Sequence, residues 1–360
     1  MIRRVTRPEL RTIIDAQAAR LDTDAANPFA TSVFTLHLLD QVARDDWHLW
    51  IAGEAGSALT LLYAEPSAPT RLRALTNYYA SLYSPFAGVS DTASPAAATA
   101  LVQALGRSRP SPATVELAPL TTADADLCVD AFRQFGWVTR RFSCFGNWYL
   151  PCDGLSFDAY MQARPSQLVN TWTRKSRKFN GKGQERLQLV TAPADVTAAM
   201  QAYNTVYAKS WKQPEPYPTF VADWAALCAE RGWLRLGVAW SGDVPVAAQL
   251  WFTLGRRAFI YKLAYDEAYA KLSAGTVLSA MMFRHALEVD RVAEIDYLTG
   301  DDGYKRSWVT ERRERVGVIA CNPRTWRGAV QGAYELAGTL RERFRRAAPA
   351  TVVQPEAVAA

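Results

Sequence analysis

The sequence predicts an α/β protein of two similar halves, each a mixed, mostly antiparallel sheet flanked by helices. Three observations predict it. Helix-period and strand-period apolar patterns alternate along all 360 residues. The stretch from Trp233 to Glu267 reads as three strands split by Ser241-Gly242-Asp243 and Gly255-Arg256-Arg257. That is an antiparallel meander, and a helix and a strand follow it. The halves also echo each other at a spacing of 186 residues: Pro28 and Pro214, Phe34 and Phe220, Ala43 and Ala229, Trp47 and Trp233, Gly56 and Gly242. Shared element order around these identities favours duplication. The expected division is 1–155 and 156–346, with 347–360 as a disordered tail.

The elements follow in order. Residues 8–21 and 32–44 carry helical periodicity. Segments 47–53, 57–65 and 71–79 read as strands. A helix at 94–107, a strand at 114–119, a helix at 122–135 and a strand at 137–150 close the first half. Residues 157–163 and 165–180 read as helices, 185–191 as a strand and 194–210 as a helix. The run Ser210–Pro218 holds three prolines and is a loop. Helix 219–231 leads into the meander. Helix 275–289, strand 293–298, strand 315–321 and helix 324–346 complete the chain.

Composition excludes several classes. With 49% apolar and 21% charged residues, the chain is an ordinary folded one. It has no run of about 18 apolar residues to span a membrane. The N-terminus lacks the apolar core of a signal peptide, so a cytoplasmic location is expected. Cys128, Cys144, Cys152, Cys228 and Cys321 are odd in number, scattered and without a CxxC pair, and the three histidines are dispersed. Neither a disulfide framework nor a metal site is expected. Net charge is +6, and Arg164–Val190 carries that whole excess, with seven basic residues against Glu185. Such a cluster is either a solvated helix face or a patch for an anionic partner. Only Trp172 and Phe179 interleave with it, which argues against a nucleic-acid stacking platform.

The segments SWKQPEPYP, LRLGVAWSGDVPVAAQLWF, IYKLAYDEAYAKLSAGTVL and EIDYLTGDDGYKRSW resemble the FemAB-like acyltransferases of the Gcn5-related (GNAT) fold. The closest branch is the one named after the cellulose-biosynthesis protein CelD. The resemblance covers about residues 25–325 and implies tandem GNAT-like domains with an acyl donor, acyl-CoA. The acceptor stays open: a small molecule, saccharide, lipid or peptide offering an amine or hydroxyl. In that fold the third meander strand splays from the next strand and leaves a donor cleft. Tyr261, Lys262 and Leu263 then fall on the cleft strand. Lys271, Ser273, Ala274, Gly275 and Thr276 fall at the helix start that cradles pyrophosphate, where free N–H groups and the helix dipole favour anions. The fold's usual Arg/Gln-x-x-Gly-x-Gly/Ala fingerprint is degraded here, with Ala270 and Ser273 at two of its positions.

Tyr304-Lys305 matches an aromatic–lysine pair of the Fem ligases, where the lysine polarises the donor end. Asp301 or Asp302 is a candidate base, Tyr304 a proton donor to the leaving thiolate, and Lys305 an oxyanion partner. An Asp/Gly turn capping a short helix explains the same residues structurally. Trp211, Gln249, Trp251 and Asp296 are candidate substrate contacts, although aromatics on strands more often serve the core. No nucleophile-elbow pattern is present, so direct attack by the acceptor on a thioester is expected. The rival readings are an aminoacyl-tRNA-dependent transferase, which lacks here the coiled-coil arm of the Fem ligases, and a non-catalytic anion-binding module.

Overall fold

The computed structural model describes residues 2–23, 25–53, 58–88, 94–179 and 183–347. Gly56, the start of the strand expected from residue 57 and the tail expected to be disordered lie outside them. The first half runs β1 (Ile2–Val5), α1 (Arg7–Ala16), α2 (Ala18–Asp22), α3 (Ser32–Gln41), β2 (His48–Ala52), β3 (Thr60–Ala64), β4 (Arg71–Ala74), α4 (Pro95–Arg107), β5 (Thr114–Leu120), α5 (Thr122–Gln134) and β6 (Val138–Pro151). The second runs α6 (Phe157–Gln162), α7 (Ser166–Ser176), β7 (Glu185–Val190), α8 (Val196–Ala208), α9 (Phe220–Glu230), β8 (Leu234–Ser241), β9 (Val244–Leu254), β10 (Arg257–Tyr265), α10 (Ala274–Arg284), β11 (Glu294–Asp296), β12 (Glu311–Cys321) and α11 (Trp326–Ala347).

The fold is mixed α/β. Its described strands form one sheet in the order β1-β2-β3-β4-β5-β12-β6-β11-β10-β9-β8-β7. The halves repeat one topology. In each, an antiparallel run ends in a single parallel pair, β4 with β5 and β10 with β11. The last strand of each half then crosses over: β12 pairs with β5, and β6 pairs with β11. The two crossed strands pair with each other along most of their length, from Glu311 opposite Tyr149 to Cys321 opposite Val138. Gly317 is needed there, because a Cβ would lie 2.2 Å from the Phe142 ring.

Local chemistry sets the element ends. Thr6 and Glu9 form a capping box at α1, and Thr31, Ser94, Thr121 and Ser156 cap α3, α4, α5 and α6. Nearly every residue of β9 is buried, since helices cover both of its faces. One core cluster joins the halves, and Phe34 and Phe220, an echoing pair in the sequence, meet there edge to face at 6.1 Å. A second cluster lies under α4 and α5, and a third under α6 and α10.

Some boundaries differ from the periodicity. The strand expected over 71–79 stops at Ala74, because Asn77 turns the chain by accepting from the N–H of Tyr79 through Oδ1 and from that of Ala80 through its carbonyl. The helix expected to 289 is α-helical only to Arg284 and then widens to i→i+5 bonding over His285–Val289. β11 ends at Asp296, whose Oδ1 accepts from the N–H of Leu298 at 2.6 Å, and Leu298 takes a left-handed φ of 53°. β12 begins four residues before its expected start. β1 is a strand where none was expected.

Candidate active site

The site begins with a mismatch in strand length. β10 pairs with β11 only over Arg257–Phe259, then continues to Tyr265. From Ile260 onward its edge toward β11 has no strand partner among the described residues. A register shift between Ile260 and Lys262 leaves Tyr261 as an extra residue opposite β9, a bulge that bends the strand. The gap becomes a cleft of about 430 Å³, lined among others by Trp211, Gln249, Leu263, Ser273, Ala274, Gly275, Thr276, Tyr304 and Trp308.

The first turn of α10 forms one wall. Ser273 is left-handed at φ 55°, and its side chain makes no cap hydrogen bond. Thr276 and Val277 donate to Ser273 O, but the N–H groups of Ala274 and Gly275 have no acceptor among the described residues. A Cβ at Gly275 would meet nothing closer than Tyr265 Cδ1 at 3.9 Å, so the backbone there is open to the cleft. Free amides at a helix start attract anions. Lys175, at the end of α7, donates through Nζ to Lys271 O, which brings the basic segment beside this turn. Gln249 braces the turn from β9, donating to Gly275 O at 3.2 Å and Ser279 Oγ at 2.7 Å. Trp251 is core, and its Nε1 donates to Gln249 Oε1 at 3.0 Å.

The loop after β11 forms the other wall. Tyr304 faces the cleft, and burial and then the Asp302 charge push its phenol well above the usual range. Lys305 does not line the cleft. It is buried, and its three donors reach Thr299 O at 2.8 Å, Gly300 O at 3.0 Å and the Asp302 carboxylate at 3.2 Å. Desolvation by burial lowers its pKa, and the Asp302 charge, then those of Asp296 and Asp301, oppose the shift. Asp301 points away, accepting from Trp148 Nε1 at 2.6 Å and in a fork from Arg312. The Arg312 and then the Trp148 hydrogen bonds hold it at about 2. Asp296 lies on another face, tied to Asn147, Arg313 and Leu298 N.

Lys262 and Tyr261 also turn away from the cleft. Lys262 forms a buried ion pair with Glu215 at 2.7 Å, with the Tyr78 and Tyr79 rings 4.7 and 5.1 Å from its Nζ. Tyr207 O–H donates to the same Glu215 oxygen at 2.9 Å. Burial raises the Glu215 carboxyl, but Lys262 outweighs it and the net shift is downward. Nearby Lys212 is pushed down to about 8 by burial and by the Lys262 charge. Sequence reasoning missed Glu215, Lys212 and Tyr79. The available signal was two charged residues inside a proline-rich, aromatic-flanked loop. Trp211 of that loop packs at a tilt against Tyr265, ring centroids 4.9 Å apart, and lines the cleft.

All five cysteines are free, and none lines the cleft. Among the described residues no group of three or more His, Cys, Asp or Glu side chains could hold a metal ion, and no helix is long and apolar enough to cross a membrane.

Comparison with known proteins bears on the fold and on the segment around the cleft. No curated protein matches this chain. Among solved structures, FemX superposes with a TM-score of 0.58 at 9% identity, covering 89% of this chain and 96% of that one. An L-PGS of Bacillus licheniformis superposes with a TM-score of 0.53 at 12% identity, covering 93% and 96%. At such identities the likeness is one of fold. Residues 166–306 match the family model of the acetyltransferase (GNAT) domain. That span contains the meander, α10, β11 and every cleft-lining residue except Trp308.

Proposed function

We propose that the protein is an acyltransferase that moves an acyl group from acyl-CoA to an amine or hydroxyl by direct attack. One observation carries this reading. A 430 Å³ cleft runs from two amides at the start of α10 to an edge of β10, both without partners among the described residues. Pyrophosphate suits the first end, with Lys175 beside it. A thioester carbonyl suits the second, where strand N–H groups from Ile260 to Leu263 supply oxyanion donors.

The acceptor's lone pair attacks the thioester carbon. The tetrahedral oxyanion collapses, the C–S bond breaks, and the thiolate takes a proton. Tyr304, the cleft's phenol, is the proton donor in this reading. Asp301 is too acidic to take the acceptor's proton efficiently at neutral pH. Asp302, beside Tyr304, takes that role through water. Lys305 is a positioning residue that fixes the Thr299–Asp302 turn. Gln249 and Trp251 hold α10 against β9, and Trp211 covers the acyl chain. The acceptor is a saccharide, lipid, peptide or small molecule.

Calorimetry with acetyl-, octanoyl- and palmitoyl-CoA tests the donor. Binding of at least one, with micromolar affinity or better, is expected. No heat from any of them with folded protein sinks the reading. Saturable tRNA binding in its place promotes the aminoacyl-tRNA reading, which the basic segment beside the cleft favours. Neutralising Arg174, Lys175, Arg177 and Lys178 together then lowers the salt slope by roughly three to four for tRNA.

A further inference from the structure

On the opposite side of β10 and β11 lies a second cavity of about 500 Å³, at the junction of the halves. Its wall holds three guanidiniums, Arg257, Arg313 and Arg315, and two carboxylates, Asp124 and Asp296. Arg313 is committed to Glu294 and Asp296. Arg257 sits 4.0 Å from Glu294 and donates to Ala26 O at 3.4 Å. Asp124, on the far wall, accepts from Thr121 Oγ1 at the start of α5.

Arg315 is different. It is 6% exposed, yet among the described residues its only hydrogen bond runs from Nη2 to Asn147 Oδ1 at 3.0 Å, with Asp296 at 3.8 Å. Asp296 is already satisfied by Arg313, Asn147 and Leu298 N. Arg315 therefore presents Nε and Nη1 without acceptors in a cavity wall. A buried guanidinium with open donors is costly unless an anion completes it. Its pKa is lowered to about 10, by burial first and then by Arg313, as expected of a cation short of counter-charge. The rest of the lining is mixed: Asn27, Ser81 and Ser84 are polar, while Phe29, Leu82 and Phe259 give an apolar face.

We propose that this cavity binds an amphipathic molecule through an anionic head group, carboxylate or phosphate, held by Arg315. The head group accepts from the free guanidinium donors, and the apolar body lies against Phe29 and Phe259. A cavity of this size suits a small-molecule ligand. Asp296 and Leu298 line it, while Tyr304 of the same loop lines the donor cleft. The loop thus separates the two spaces, and the bound molecule is placed to be the acyl acceptor. That last identification rests on the transfer reading above; the binding site does not.

The test is calorimetry on the full chain with octanoate, octyl phosphate, inorganic phosphate and octanol, and with CoA thioester in parallel. Octanoate or octyl phosphate is expected to bind, and the tighter of the two names the head group. Octanol and inorganic phosphate are expected to bind at least tenfold more weakly. Arg315→Gln should weaken the amphipathic anion roughly tenfold or more, as for loss of a charge-assisted hydrogen bond. Ala123→Glu, at an exposed position lining the cavity, should do the same without touching the core. Both variants should keep wild-type affinity for CoA thioester. Absence of anion binding to wild type, or equal affinity in wild type and both variants, overturns the proposal even if CoA binds. Arg315-dependent anion binding without CoA binding upholds this site and overturns the donor reading alone.

Discussion

Gly275→Glu separates the donor account from a purely structural one, because stability and binding should move in opposite directions. Gly275 sits in the first turn of α10 with ordinary helical backbone, and a Cβ there would meet only Tyr265 at 3.9 Å. Replacing glycine in a helix gains roughly 0.5–1 kcal/mol of propensity. An acid in the first turn adds about 0.3–1 kcal/mol through the helix dipole. The variant should therefore unfold at an equal or higher denaturant midpoint. A pyrophosphate on the Ala274 and Gly275 amides would lie about 5 Å from the new carboxylate. At an effective dielectric constant of about 20, one such charge pair repels by roughly 3 kcal/mol. After screening, about 1.5–3 kcal/mol remains, so CoA thioester affinity should fall by roughly 10- to 100-fold. Urea unfolding and calorimetry on the same samples read both effects. Unchanged affinity in a stable variant refutes the placement of phosphate at this turn.

Lys305→Ala removes an ammonium that satisfies two carbonyls and Asp302, so it should cost about 2–4 kcal/mol in urea unfolding as well as activity. A variant as stable as wild type contradicts the positioning role. Asp301 is held at about 2, below the roughly 3.9 of an unfolded chain, so its ion pair supports the fold above about pH 4 and is lost as pH falls toward 2. Asp301→Asn should therefore leave the pH dependence of kcat/KM above pH 4 in place, whereas Asp302→Asn, which removes the proposed base, should lower kcat. Lys212 is held at about 8, below the roughly 10.4 of a free lysine, so its charged form is disfavoured in the fold below pH 8 and the penalty vanishes as pH rises toward 10.4. Lys212→Met should then stabilise by about 1 kcal/mol at pH 7, allowing for partial exposure, and by less at pH 10. Equal effects at both pH values would argue against it.

Much of the fold was legible because it is written in local periodicity. The meander from Leu234 to Tyr265, with turns at Gly242 and Gly255, follows from alternation and turn residues. β1 escaped because Ile2–Val5 is four residues long with two arginines facing out. The exchange of β6 and β12 could not be read, because alternation fixes a strand's faces and not its neighbours. The early start of β12 was hidden for a related reason. Its charged opening, Glu311–Glu314, looks like a loop until Asp301, Asp296 and Glu294 arrive from elsewhere to pair with it. The same limit governs the site. The small residues from Ser273 to Thr276 are a local signature of a helix start open to a ligand. Asp301 looked like a free carboxylate in Gly-Asp-Asp-Gly, since nothing nearby in sequence announces Trp148 or Arg312. Glu215 meets Lys262 and Tyr79 only through tertiary structure, across both halves of the chain.

The central claim is that the cleft holds an acyl-CoA with its pyrophosphate on α10 and its thioester on β10. A crystal structure of the protein with a non-hydrolysable CoA thioester tests it most directly. The account predicts pyrophosphate oxygens within hydrogen-bonding distance of the Ala274 and Gly275 N–H groups, and the thioester carbonyl against the β10 edge between Ile260 and Leu263. CoA bound elsewhere on the protein, or a fully occupied ligand whose phosphates leave those two amides free, would contradict it.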